Sequence, residues 1–330
     1  KEIDVYPADD IPGRGLVRQG DTALEFQAAL PVRSGGDLPM EETIRRKSRE
    51  LAKKYKDIKA PAIPSIPKKP LWEEFIQRSD TVSMAEAGRK LPFGFHNLTA
   101  AVWGIPLSET YTYLITGRAG SGLTNALKIL ISSAYMMRGR IAVIDFGGEL
   151  KKTALRYKAE YLCMEEDVFT FFGDILSEYK TRNKTKRELV EQGLSGRELF
   201  DGMQIYPKIF LIINDLSEFC GRISYPSAGV GQSAAFVINI LEKGAMHNVY
   251  WFAASSFKDS QELTGNEVYM KFIKERRGIC MGGCVGECRT LSFSSMKYTE
   301  QTVKYPPGTG VISEGDDNET TIVVAPLMSS

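Results

Sequence analysis

From about residue 71 onward the chain alternates between continuous apolar runs and longer amphipathic stretches. "TYLITG" at 112–117 is a short apolar run that ends in glycine. "TNALKILISSAYMMRG" follows it, with Leu127, Leu130, Ile131 and Ala134 recurring at helical spacing. "RIAVIDF" at 140–146, "KIFLIINDL" at 208–216 and "NVYWFAASS" at 248–256 are further apolar runs of strand length. Helical patterns run through 166–182, again around 186–200, and through "SAAFVINILEKGAM". Strands that are apolar at nearly every position are buried on both faces. Their alternation with helices predicts an α/β domain whose mostly parallel central sheet is covered by helices on both faces. Trp251 and Phe252 fall within the last of these strands and read as core, and His247, just before it, as a strand-start contact. The closing segments "RGICMGG", "CRTLSFS", "GTGVISE" and "TTIVVAP" predict shorter strands along one side.

The first 70 residues are different. Residues 1–40 hold short apolar runs broken by Pro12, Gly13 and Gly15, with Leu24, Phe26 and Ala28 alternating as in a strand. That is too little for a core of its own and predicts an N-terminal extension. Residues 41–57 place Ile44, Leu51, Ala52 and Tyr55 at helical spacing in a charged background. Prolines at 61, 64, 67 and 70 then predict a semi-extended linker. The organisation expected is 1–40, a helix and linker over 41–70, and one large domain over 71–330.

Composition narrows the functional classes. The chain has 330 residues, 43% hydrophobic and 25% charged, as globular domains do. Lys and Arg total 42 against 41 Asp and Glu, and this balance argues against nucleic acid as a partner. No apolar run has the length of a membrane span. The chain begins at Lys1 with nothing resembling a signal peptide, and is expected to be a piece of a longer protein. Five cysteines, Cys163, Cys220, Cys280, Cys284 and Cys288, are an odd and small number, which fits a reducing compartment. The last three are spaced C-x3-C-x3-C. Zinc sites favour C-x2-C pairs and need a fourth ligand, and neither His96 nor His247 is close in sequence. The expectation is a metal-free protein whose thiols behave independently.

The candidate chemistry lies between the first strand and its helix. Gly117, Arg118, Ala119, Gly120, Ser121, Gly122, Leu123, Thr124 and Asn125 read "GRAGSGLTN". Glycine, four residues, glycine and then a hydroxyl is the spacing of a phosphate-binding loop, in the strand–loop–helix context that such a loop needs. Glycines let backbone amides turn toward phosphate oxygens, and the helix N-terminus adds positive potential. Thr124 has the hydroxyl suited to magnesium. Leu123 stands where the loop's lysine belongs. The plainer alternative is a glycine turn feeding a helix. A second element, "IFLIINDL", ends an apolar strand in Asn214 and Asp215, where an NTPase would hold magnesium and polarise water. The plainer reading there is a polar turn after a buried strand.

"LPFGF", "YLITGRAGSGLTN", "IAVIDF", "IFLIINDLSEF" and "KGAMHNVYWFAASS" follow, in order, the layout of the FtsK/SpoIIIE-type ring ATPases. The chain resembles that family over about 71–330, and within it the tandem coupling ATPases of type VIIb secretion. "PGRGLV…EFQAALP" resembles the closing strands of a preceding ATPase domain. The resemblance implies a RecA-like P-loop NTPase fold with ATP and magnesium as cofactors. By the same resemblance Asn214 stands at the magnesium aspartate and Asp215 at the catalytic glutamate. A glutamine after the fourth strand is replaced around Ser255 and Ser256. Each charge-assisted hydrogen bond lost is worth roughly 1.5–3 kcal/mol, and a loss of about 3 kcal/mol weakens binding roughly a hundredfold. Arg118 is a candidate substitute for the missing cation. Nucleotide binding is therefore expected to be weak or absent, with little or no hydrolysis and no intact catalytic residue.

The resemblance further implies a module for substrate recognition or regulation, in the cytoplasmic portion of a protein anchored in a bacterial membrane. Its implied partners are secreted helical hairpins with C-terminal export signals, and other ATPase domains of the same chain in a hexameric ring. The alternative is an active FtsK-like motor that moves DNA or protein. "RNKTKR" at 182–187 is its one basic cluster, and near-zero net charge favours reading that cluster as a solvated helix face.

Overall fold

The computed structural model describes residues 13–19, 22–29, 39–58, 64–225, 234–313 and 321–329. The expected breaks at Pro12 and Pro61 and the expected helix start at Ser233 lie outside these residues. The chain divides into two compact units, Lys1–Ile63 and Pro64–Ser330.

In the first unit, strands β1 (Arg14–Gln19) and β2 (Thr22–Gln27) form an antiparallel hairpin that pairs Gly15 with Phe26 and Val17 with Leu24. Helix α1 (Met40–Lys54) has no buried residue. Its surface carries the solvent-exposed pairs Arg45–Glu41 and Lys47–Glu50, at i,i+4 and i,i+3 spacing along the helix.

The second unit runs α2 (Trp72–Phe75), α3 (Ser79–Ala87), β3 (Lys90–His96), β4 (Val102–Pro106), β5 (Thr112–Gly117), α4 (Leu123–Met136), β6 (Arg140–Ile144), α5 (Lys151–Arg156) and β7 (Glu160–Leu162). It continues with α6 (Glu165–Glu191), α7 (Gly196–Gly202), β8 (Ile209–Ile213), α8 (Leu216–Ser224), α9 (Ala234–Lys243) and β9 (Val249–Ser256). It ends with α10 (Phe257–Glu262), α11 (Glu267–Phe272), β10 (Gly278–Cys284), α12 (Tyr298–Gln301), β11 (Lys304–Ser313) and β12 (Ile322–Val324). The ten-stranded sheet has the order β4-β3-β12-β11-β10-β5-β9-β8-β6-β7. From β10 to β7 every pairing is parallel, and from β10 to β4 every pairing is antiparallel.

Alternation along the buried strands divides the core in two. Ile209, Leu211 and Ile213 of β8 and Val249, Trp251 and Ala253 of β9 face one side, with α6, α8, α9 and α11. Phe210, Ile212, Tyr250 and Phe252 face the other, with α2 and with Ala126, Leu127, Leu130, Ile131 and Ala134 of α4. This is the α/β sheet with helices on both faces that the sequence predicts.

Several expectations need correction. The two helices expected over 166–182 and 186–200 are one helix of 27 residues, α6, followed by the short α7. The apolar positions Val168, Phe172, Ile175 and Tyr179 keep one face of α6 buried, and its polar second half continues without a breaker. "CRTLSFS" forms no strand. The β3–β4 hairpin was not apparent because Pro92 and Gly94 interrupt it. A register shift between these two residues accommodates them, and Ser133 Oγ donates to the Pro92 carbonyl at 2.6 Å.

The basic run "RNKTKR" is not simply a solvated face. Arg182 is fully buried. Its Nη1 donates to the carbonyls of Pro207 (3.0 Å), His247 (2.8 Å) and Asn248 (3.3 Å), and its Nε to Glu178 at 3.1 Å. Lys186 donates to the Ala245 carbonyl at 2.8 Å. The run thus joins α6 to the beginnings of β8 and β9.

His247 lies in the same cluster, its ring tilted against that of Tyr179 and its Nδ1 2.9 Å from the Gly244 carbonyl. Burial, reinforced by Lys186, Arg182 and Lys243, pushes its pKa down from 6.5 to about 4. The imidazole is therefore neutral in the fold, while the unfolded chain takes up a proton below pH 6.5. Stability contributed by the neutral ring is complete above pH 6.5 and is lost as the pH falls toward 4. The expected loss is about 2–3 kcal/mol across that window. Urea midpoints at pH 7 and 4.5 should differ less for His247→Gln than for the parent protein. Equal differences would show that His247 is not the titrating group.

Candidate nucleotide site

The loop from Gly117 to Gly122 joins β5 to α4. Gly117 lies so close to the Met281 carbonyl and the Ser121 side chain that a Cβ there would collide with both. Gly120 and Gly122 adopt φ of +78° and +106°, in the left-handed region that favours glycine. Space above Gly120 is open, since nothing lies within 4 Å of a Cβ built there. Gly122 caps α4 without a side-chain acceptor, so the first amides of the helix are left for solvent or a ligand. The backbone therefore has the form that an anion would need.

The side chains do not complete that site. Leu123 is half-buried and packs against the core cluster on the α4 side of the sheet. Arg118, the candidate substitute for the missing lysine, turns away instead: its Nε donates to Glu287 at 2.6 Å, in a two-pronged pair. Thr124 Oγ1 donates to Glu149 at 3.3 Å. Asn125 is not a ligand-facing group either. Its Nδ2 donates to the Pro326 carbonyl and its Oδ1 accepts from the Met328 amide, each at 2.9 Å. Ser121 is buried, its amide donating to the Arg118 carbonyl at 3.1 Å and its carbonyl accepting from the Gly308 amide at 3.0 Å.

Across the cleft, Asn214 follows β8. Its Nδ2 donates at 3.0 Å to Asp145 Oδ1, at the end of β6. Asp145 is 1% exposed and fully engaged, since it also accepts from the amides of Gly148 and Leu150 and from the Tyr161 hydroxyl. Burial, with Asp145 adding to it, pushes the Tyr161 hydroxyl up to about 12, which keeps it a donor. Asp215 caps α8, its Oδ1 accepting the amides of Ser217 (2.8 Å) and Glu218 (3.0 Å). Ser256 caps α10 and donates to Asp259 at 2.6 Å, while Ser255 meets Ser260 at 3.0 Å.

Leu123, Thr124, Glu149, Asn214, Asp215, Ser255, Ser256 and Asp259 thus line one cleft, of about 170 Å³. Three of these carry carboxylates and none carries a cation. A free triphosphate in this cleft would meet three carboxylates, with backbone dipoles and no lining side-chain cation to offset its charge. The structure brings Leu123, Thr124, Asn214 and Asp215 together and sends Arg118 and Asn125 elsewhere. Glu149, Asp145 and Asp259 escaped the sequence reading. "AVIDFGG" did carry a signal for Asp145, as an acidic end to an apolar strand.

Cys220, Cys280 and Cys288 are buried, Cys284 is half-buried and Cys163 is exposed, none of them in a disulfide.

No family model matches the chain, and no curated protein matches it in sequence. Solved structures do. The cytoplasmic domain of EssC superposes with a TM-score of 0.65 at 19% identity, over 98% of this chain and 60% of that one. EssC (ATPases 2 and 3) from Geobacillus thermodenitrificans gives 0.62 at 19% identity, over 98% and 57%. Thermomonospora curvata EccC (ATPases 2 and 3), in complex with a signal sequence peptide, gives 0.57 at 18% identity, over 98% and 54%.

The fold is that of the EssC and EccC ATPase domains.

The chain spans 60% or less of each of those three structures. Its order β10-β5-β9-β8-β6 places β9 between the loop strand and β8, the strand that Asn214 follows. Among its described residues, no helix is long and apolar enough to cross a membrane.

Proposed function

We propose that this chain is a C-terminal, degenerate ATPase module of a type VIIb secretion coupling protein, which works by binding protein substrates and not by hydrolysing ATP. The observation that carries the reading is the cleft beside the loop. It has Leu123 in place of a cation, a carboxamide already bonded to Asp145, and an aspartate already capping a helix. Electrostatic stabilisation of developing phosphate charge is among the largest contributions to catalysis, and this cleft supplies none from side chains. In this reading residues 1–40 are the tail of a preceding ATPase domain and 41–70 a connecting helix and linker.

The partners proposed are secreted helical hairpins carrying C-terminal export signals, together with the other ATPase domains of the same chain in a ring. The module belongs to the cytoplasmic portion of a membrane-anchored protein. A signal sequence peptide is present in the Thermomonospora curvata EccC structure, which supports extending peptide recognition to this chain. The small net charge suits a protein partner better than DNA.

Calorimetric titration with ATP, with and without magnesium, tests the reading together with steady-state phosphate release. The expected result is no saturable binding at micromolar nucleotide and no release above background. Release that Thr124→Ala abolishes would establish a working motor. Leu123→Lys with Asn214→Asp supplies the complementary arm. If only that variant binds a substrate's C-terminal peptide, and only with nucleotide present, the receptor reading fails.

A further inference from the structure

Helix α1 buries none of its residues, and the reading above gives it no task beyond connecting. It carries six basic residues, Arg45, Arg46, Lys47, Arg49, Lys53 and Lys54, against three acidic ones, Glu41, Glu42 and Glu50. That excess of three is larger than the excess of one in the whole chain, so positive charge is concentrated on this helix. Of the six cations, only Arg45 and Lys47 are in salt bridges among the described residues.

The apolar residues of α1 are sorted as well. An α-helix turns by about 100° per residue, so Met40, Ile44, Leu51 and Tyr55, the residue that caps the helix, fall on one stripe about 60° wide along its whole length. Met40, Leu51 and Tyr55 are 39%, 45% and 44% exposed, and Ile44 is half-buried. Lys47 and Lys54 border the stripe on one side and Arg45 on the other, while Arg46, Arg49 and Lys53 lie opposite. Lys54 Nζ sits 5.0 Å from the centre of the Tyr55 ring.

A helix of this length is marginal in water unless its apolar stripe is covered. The pattern selects what covers it. A protein groove reads apolar anchors at i, i+3 or i+4, and i+7. Seven and eight positions beyond Met40 stand Lys47 and Ser48, so the middle turn has no anchor. A second copy of α1 would set two like-charged surfaces together. Duplex DNA would take the cations and leave the stripe in water. An anionic bilayer surface meets both features. The stripe enters the boundary between headgroups and acyl chains, and lysine stems lie along apolar material while their ammonium groups stay among the phosphates.

We propose that α1 is an interfacial helix that lies on an anionic phospholipid surface. Met40, Ile44, Leu51 and Tyr55 enter the bilayer boundary, and Arg45, Lys47 and Lys54 meet the headgroup phosphates. At 15 residues, with charge around most of its circumference, the helix rests on the surface and does not span it.

The test mixes the 330-residue chain with vesicles and sediments them. The chain should pellet with vesicles of phosphatidylcholine and phosphatidylglycerol in equal parts, stay in the supernatant with phosphatidylcholine alone, and be released as salt is raised. Each cation at such a surface is worth about fivefold in affinity, so Lys47→Gln with Lys54→Gln should weaken binding about 25-fold. Leu51→Glu should abolish it. Because α1 buries no residue, both variants should keep the parent's urea midpoint, and the loss then reads the surface and not the fold. A chain that ignores the mixed vesicles, pellets equally with phosphatidylcholine alone, or pellets undiminished after Leu51→Glu would overturn the proposal. Retention by duplex DNA without vesicle binding would also overturn it, and assign the cations to nucleic acid. So would a dimer that forms without vesicle binding and that Leu51→Glu dissolves, since the stripe would then belong to a second copy.

Discussion

Replacing Arg182 with leucine should lower the unfolding free energy by about 3–5 kcal/mol, seen as a large fall in the urea midpoint with little change in slope. The guanidinium is wholly inside the protein, with Nη1 shared among the carbonyls of Pro207, His247 and Asn248. Leucine roughly fills the space but donates nothing, and these carbonyls would lose the donor they share where water does not enter. The ring of Tyr206, 5.2 Å from the guanidinium, would lose its cation as well. Arg182→Lys keeps the charge and one point donor, and should cost about 1–2 kcal/mol, because an ammonium cannot reproduce the planar fork. If leucine cost no more than lysine, the carbonyl contacts would not be the source of the stability. The Glu178 pair would not account for a large loss, because Glu178 is 45% exposed and screened by solvent.

The second large effect is expected at Asn214→Asp, about 2–3 kcal/mol of destabilisation at pH 7. The amide of Asn214 is a donor 3.0 Å from Asp145 Oδ1. An aspartate there removes the donor and sets two carboxylates against one another beside a buried group. The introduced carboxyl would have its folded pKa raised above the unfolded value of about 3.9. By linkage the penalty is complete at neutral pH and shrinks as the pH falls and the new carboxyl takes up a proton. The variant should therefore approach the parent protein near pH 4.5, relative to Asn214→Ala, which lacks the charge. Equal destabilisation at both pH values would mean that the loss comes from the missing donor alone. The same argument explains why an asparagine is stable here: it joins β8 to Asp145 without requiring a cation in the cleft.

The parallel half of the sheet was legible because its strands are buried on both faces, and apolar runs such as Ile209–Ile213 carry that signal in every residue. The antiparallel half was less so. Pro92 and Gly94 break the β3 pattern, and the register shift that admits them depends on the partner strand. The glycine loop was legible as backbone geometry, since spacing and positive φ go together at Gly120 and Gly122. What its side chains do was not. Arg118 finds Glu287 across 169 positions, Asn125 finds Pro326 across 201, and neither partnership leaves a local trace. Asp215 shows both outcomes: a polar residue after a buried strand suited catalysis and capping equally, and its bonds to the next two amides but one are those of a cap. Arg182 escaped because a basic run implies solvent unless the tertiary fold provides carbonyls to receive it.

The two hydrogen bonds of Asn125 have a mechanical meaning. Residues 326–328 are fastened to the first turn of α4 by the Pro326 carbonyl and the Met328 amide. Leu327, between them, exchanges backbone bonds with Pro70 and Trp72 at 2.8 and 2.9 Å. Tension applied to the far end of the chain would thus load the helix that carries the glycine loop and the stretch leading into the domain at the same time, before it reached the sheet. A pull of that kind shears this clasp sideways, and its yield force would be set by a handful of parallel bonds that break together.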